Sequence, residues 1–180
     1  MRFILIDPLL HTITNVHHPD DAETYAVLSD AVRGGIDCIH LGDDGPLHLD
    51  LWVNDECLMN IERLHSKQFP DGEITSGFFV LHNSVGPLNL VVGCAMLAAS
   101  DDEGNTVGLP DHIVPQVMAT FISFIPDSNR NAAADLAEEL LDNGGCASSQ
   151  AELDAFSARH DEIMTRAMEL TNETSPCPNP

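Results

Sequence analysis

In the stretch Leu47-His-Leu-Asp-Leu-Trp-Val53, the apolar residues Leu47, Leu49, Leu51 and Val53 alternate with His48, Asp50 and Trp52. A period of two is what a strand with one face in a core requires, because successive side chains point to opposite sides of a sheet. Just upstream, Ile36 to Leu41 is a second apolar run. The turn cluster Gly42-Asp-Asp-Gly-Pro46 lies between the two. The pair therefore predicts a β-hairpin.

Working outward, Phe3 to Ile6 and Thr12 to Val16 read as short strands broken by Asp7-Pro8, since proline cannot continue a ladder. From Asp20 or Asp21, Tyr25, Leu28, Ala31 and Val32 recur at helical spacing. They predict a helix stopped by Gly34-Gly35. Phe78 to His82 and Leu88 to Leu97 are further strands, the second so continuously apolar that it belongs in the middle of a sheet.

Beyond Pro110 the spacing turns helical, with helices expected over Ile113 to Phe124, Ser128 to Asn143 and Ser149 to Thr171. The last opens with a capping box, Ser149-x-x-Glu152. It carries a stripe of Leu153, Phe156, His160, Ile163, Ala167 and Leu170. That stripe must pack on the preceding helix, through Ala133, Leu136, Ala137 and Leu140, or on a second copy of the chain as a homodimer. The expected fold class is α+β. A small mixed or antiparallel sheet with one packed helix fills residues 1–109, and a helical extension over 110–180 packs on it or on a partner subunit.

Charge sets the limits on function. Acidic residues number 29 against 7 basic ones, giving a formal net charge of −22, and Lys67 is the only lysine. The acids are spread along the chain, 17 with 4 bases in residues 1–109 and 12 with 3 bases in residues 110–180. Direct binding to nucleic acid or to an anionic membrane is disfavoured, because such affinity rests on Lys and Arg neutralising phosphates. The same field steers basic partners inward, and it also serves solubility or life in high salt.

No secretory leader is expected at the start of this sequence, because the run Phe3 to Ile6 is cut by Asp7-Pro8. The apolar run Leu88 to Ala99 is too short to span a bilayer, which takes about 20 residues. Five scattered cysteines without a C-x-x-C fit a reducing cytoplasm better than a disulfide framework.

Four segments carry a family resemblance: Phe3-Ile-Leu-Ile-Asp7-Pro8, Val53-Asn-Asp-Glu56, Glu73-Ile-Thr-Ser-Gly77-Phe-Phe-Val80, and Leu109-Pro-Asp-His-Ile113. Over roughly residues 2–120 the chain resembles the domain of unknown function 3846, a family of small proteins found mostly in bacteriophages and mobile elements. The resemblance implies an accessory phage or mobile-element protein acting in the host cell, and it implies no catalytic residues.

Two sets of residues could carry chemistry. If the hairpin centres on Asp44, His40 faces His48 and Cys38 faces Asp50. Two imidazoles, a thiol and a carboxylate then share one face as a zinc-type ligand set. The second set is acidic: Asp43, Asp44, Asp55, Glu56, Asp101, Asp102, Glu103, Glu138 and Glu139 are the candidates for meeting a basic partner. Phosphate-loop, nucleophile-elbow, zincin and dinucleotide fingerprints are absent, so the sequence calls for no catalytic residue and no cofactor.

The leading expectation is a non-catalytic binder of a basic host protein. One form of it is a DNA mimic that fills the groove of a nucleic-acid or defence enzyme with carboxylates. A helix advances about 1.5 Å per residue, close to the roughly 1.7 Å per charge of duplex DNA. The alternatives are a small-molecule or metal-binding module and a structural dimerisation protein.

Overall fold

The structure, a computed structural model, describes residues 1–19, 23–55, 77–83, 86–115, 122–143 and 149–172. Its elements run β1 (Arg2–Asp7), β2 (Thr12–His17), α1 (Thr24–Val32), β3 (Ile36–Asp44), β4 (Leu47–Asn54), β5 (Phe78–His82), β6 (Pro87–Val92), β7 (Ala95–Ser100), β8 (Thr106–Val107) and β9 (Ile122–Phe124). A 3₁₀ turn, Asp127–Asn129, leads into α2 (Arg130–Asn143), and α3 (Gln150–Asn172) follows. The fold is α+β, with all the strand pairs antiparallel.

The strands divide between two sheets. The larger has the order β2-β1-β7-β4-β3 with β8 added to β7, and the smaller has the order β6-β5-β9. What looks like one apolar strand from Leu88 to Leu97 is in fact two. Gly93, at φ 78°, turns the chain out of β6 in one sheet and into β7 in the other. A side chain there would be held in the left-handed region that L-residues rarely enter. The Gly93 N–H donates to Gly77 O at 2.9 Å, tying the corner to the start of β5.

Alternation along the strands then builds the layers. Ile4, Ile6, Leu51, Ala95, Leu97 and Ala99 point from the larger sheet toward Phe79, Leu81 and Val91 of the smaller one. Phe3, Met96 and Ala98 point the other way and meet Leu28 of α1. On the outer side of the smaller sheet, Phe78, Val80, Leu90 and Val92 pack on Ala133, Leu136 and Ala137 of α2 and on Ile163, Met164 and Ala167 of α3. The order of layers is α1, larger sheet, smaller sheet, α2 with α3. β5 and β7 are covered on both faces, which is why they read as unbroken apolar runs.

The expected elements shift in three places. α1 ends at Val32, with Arg33 rather than a glycine at positive φ (64°) and the Gly34 N–H bonded back to Ser29 O. Residues 122–124 form strand β9 where a helix was expected to run on to Phe124. There the open edge of β5 accepts Ile122 opposite Leu81 and Phe124 opposite Phe79. Phe124 also meets Phe79 edge to face, centroids 6.4 Å apart. Pairing that edge and covering Phe79 outweighs a local helical spacing.

The third shift is in the last helix, where Ser149 does accept the Glu152 N–H, at 3.3 Å. Only the C-terminal half of the expected stripe is buried, through Ile163 and Ala167, while Leu153 is 53% exposed. Asn129 donates to Leu170 O at 2.8 Å and pins the end of α3 to the turn before α2. Among the described residues no helix is long and apolar enough to cross a membrane.

Candidate functional site

The β3–β4 hairpin folds with a register different from one centred on Asp44. His40 lies opposite Asp50 and Cys38 opposite Trp52; beyond a bulge Gly42 lies opposite Leu49, Asp43 opposite His48 and Asp44 opposite Leu47. The expected pairs His40 with His48 and Cys38 with Asp50 are therefore not cross-strand partners. The physical reason is a two-residue loop, Gly45-Pro46, combined with one extra residue, Leu41, on the β3 side.

That bulge determines which side chains share the outer face. In an unbroken strand His40 and Asp43, three residues apart, would point to opposite sides. The extra residue restores Asp43 to the side of His40. Gly42 makes this feasible by taking φ 140°, a value that excludes most side chains. Leu41 stays on the core side, against the cluster between the sheets.

Asp43 consequently sits between two imidazoles. Its Oδ1 is 2.7 Å from His48 Nδ1 and 3.5 Å from His40 Nε2, and the two rings meet edge to face with centroids 5.7 Å apart. The hydrogen bond from His48 to Asp43 holds the His48 imidazolium, raising its pKa above the ordinary histidine value.

Behind His40 stands Asp50, only 7% exposed. One of its oxygens accepts from His40 Nδ1 at 3.2 Å and the other accepts from the Ser100 hydroxyl. An ionised carboxylate accepts only, so His40 Nδ1 is the donor in this contact, and Nε2 is the ring nitrogen that faces Asp43. Asp102, in the turn after β7, approaches His48 Nε2 at 3.9 Å.

Cys38 lies on this same face next to Asp50. Desolvation first, and the Asp50 charge second, push its thiol up to about 11. The thiolate is the nucleophile and the soft-metal ligand, so Cys38 is a poor candidate for either role despite its exposed position. At pH 8, Cys38 is expected to react with iodoacetamide on the order of tenfold more slowly than an unperturbed thiol, lost thiolate outweighing gained nucleophilicity. Asp50→Asn is expected to recover part of that rate. Peptide mass mapping of the alkylated protein reads both, and equal rates for Cys38 in the two proteins would contradict the Asp50 contribution.

The acidic candidates fall into separate places. The hairpin tip lies beside the turn after β7, since His48 is opposite Ser100. Asp43, Asp44, Asp101, Asp102 and Glu103 thus gather at one end of the larger sheet. Asp44 faces the other side from Asp43 and bonds His112 at 2.8 Å. Asp101 mainly shapes its turn, accepting the N–H groups of Glu103 at 3.0 Å and Asn105 at 2.8 Å. Bonds to Asn105 lower its pKa.

Asp55 is at the far end of the hairpin, and its N–H donates to Gly35 O. Glu139, half-buried, is paired within the chain with Arg166 at 2.6 Å and Arg159 at 3.5 Å, a surface clasp between α2 and α3, with half-buried Glu138 beside it. Glu56 lies outside the described residues.

Two contributors to this end escaped the sequence reading, His112 and Ser100. A single histidine or serine in a turn or strand carries no spacing signal; only the sheet order reveals what it touches. No protein-family model, no curated protein and no solved structure matches this chain.

Proposed function

We propose that the protein is a non-catalytic, acidic accessory protein of a phage or mobile element that acts in the host cytoplasm by binding a basic host protein. The favoured target class is a nucleic-acid or defence enzyme whose phosphate-binding groove accepts carboxylates, in the manner of a DNA mimic. The observation that carries this reading is the convergence of acids from separate segments at one end of the larger sheet. There Asp43 and Asp102 are 62% and 79% exposed, and Glu103 is exposed beside them. The groups that face Asp43, Asp44 and Asp102 across this end are the imidazoles of His40, His48 and His112. The family resemblance supports the biological setting.

A basic partner docked on such a surface gains rate and specificity from complementary charge, and that gain is screened by salt. Raising salt from about 0.1 to 1 M shortens the screening length from about 10 to about 3 Å. Host proteins captured on the immobilised chain are therefore expected to be enriched in nucleic-acid enzymes, to elute as salt rises, and to compete with duplex DNA. Capture is expected to fall severalfold in the variant Asp43→Asn, Asp44→Asn, Asp102→Asn, Glu103→Gln. Capture that ignores salt, DNA and these substitutions would refute the reading.

A metal-binding reading has its own observation, the grouping of His40, Asp43 and His48.

A further inference from the structure

We propose that His40, Asp43 and His48 form a binding site for one divalent transition ion of the zinc class, with Asp50 as the positioning residue behind His40. The donor atoms of these three residues all lie within 4.8 Å of one another. Tetrahedral zinc with bonds of about 2.0–2.1 Å requires neighbouring ligand atoms roughly 3.3 Å apart. His40 Nε2 and Asp43 Oδ1 are already at 3.5 Å, and His48 Nδ1 is too close at 2.7 Å only because it is hydrogen-bonded to Asp43. Exchanging the proton of that bond for a metal ion opens the pair by about 0.6 Å, a small rotation for side chains that stand at the surface. The displaced proton goes to solvent.

Three features separate this group from an ordinary polar surface. The bulge at Leu41 with Gly42 at φ 140° is what puts Asp43 on the histidine face at all, and bulges of this kind re-aim side chains beside functional sites. Asp50 is buried, yet one of its oxygens is directed at His40 Nδ1. This is the carboxylate–histidine arrangement that orients metal-bound imidazoles and raises their basicity. The donor set itself, two imidazoles and one carboxylate, suits zinc and its neighbours, whereas calcium and magnesium take oxygen ligands.

Three protein ligands leave at least one coordination position open on the exposed side. A side chain of a bound partner could complete the shell. The site does not depend on partner binding, so it stands or falls separately from the proposed function.

The test uses the full chain without a histidine tag and zinc alone as the probe, with affinity measured by competition against a chromophoric chelator. The wild type is expected to take up zinc. His40→Gln, Asp43→Asn and His48→Gln are each expected to weaken that uptake at least tenfold, and Asp50→Asn by on the order of tenfold. His11→Gln, away from the site, is expected to change nothing.

His40 and Asp43 are exposed, so their variants keep the fold, which far-UV circular dichroism verifies. Imidazole nitrogen NMR of the wild type gives an independent reading, with zinc shifting His40 Nε2 and His48 Nδ1. Absence of zinc uptake by the wild type overturns the proposal. So does uptake that the three ligand substitutions leave unchanged, or zinc-induced shifts confined to other histidines.

Discussion

A chain ending at Leu109 is expected to collapse without folding. Such a truncation removes β9 from the edge of β5 and strips α2 and α3 from the outer face of the smaller sheet. Phe78, Val80, Leu90 and Val92, none more than 8% exposed, lose the helices that cover them. Burying a large apolar side chain is worth about 1.5–3 kcal/mol, so these four alone represent on the order of 6–12 kcal/mol. That matches the whole net stability of a typical domain, about 5–15 kcal/mol.

Ile113 and Val114 also leave the cluster between the sheets, and the bond from the Ile125 N–H to Phe78 O at 3.0 Å is lost. The truncated chain should therefore show no cooperative thermal transition, a flat near-UV circular dichroism spectrum and strong binding of a hydrophobic dye. Sharp, dispersed NMR resonances from residues 1–109 alone would contradict this. They would mean that the smaller sheet does not depend on the helices.

The reason such a boundary is attractive on sequence grounds, and weak on structural ones, lies in what periodicity can register. Alternation in Leu47 to Val53 identified a one-sided strand because one neighbour of that strand face is apolar and the other is polar. The opening hairpin was legible for a similar reason, with Pro8 ending the ladder just after Asp7, itself opposite Thr12. The Asp7 carboxylate accepts the Leu9 N–H at 2.9 Å and the Leu10 N–H at 3.1 Å. In contrast, β5 and β7 are buried on both faces, so their sequences state that they are central without stating between what.

The split of residues 88 to 97 into two strands of different sheets rests on one glycine, and β9 rests on an edge that only the assembled sheet offers. Both are long-range effects with no local signature.

The candidate site was half legible in the same sense. His40, His48, Asp50 and Cys38 were expected on one face, and a register displaced by two residues preserves that parity. Asp43 was expected only as a surface acid. Its membership of the histidine group depends on the bulge, and an extra residue in a strand cannot be counted before its partner strand is known. Asp50 moved the other way, from a first ligand to the buried support of His40. The acidity of the chain likewise acquires a direction: Glu139 is used internally by Arg159 and Arg166, while Asp43, Asp102 and Glu103 remain outward at the hairpin end.

Phe79→Ala is expected to be the most damaging single substitution among the described core residues, at about 3–5 kcal/mol. Phe79 is 0% exposed in the layer between the two sheets and stacks edge to face on Phe124. It therefore contributes its own transfer from water, an aromatic pair, and the cover over β9. Neither sheet can collapse into the space it vacates, because the strands on both sides are fixed by their ladders, so a cavity remains and adds to the loss.

For a chain of this size about 1 kcal/mol moves the midpoint by about 2–4 °C, so the thermal midpoint should fall by roughly 6–20 °C. Phe79→Leu retains most of the volume and is expected to cost less than half as much. Tyr25→Ala, at a side chain 60% exposed, should stay within about 0.5 kcal/mol of the wild type. Urea denaturation of the four proteins ranks these costs. A Phe79→Ala loss no larger than that of Tyr25→Ala would show that the two sheets do not meet through Phe79, and the layered arrangement would have to be abandoned.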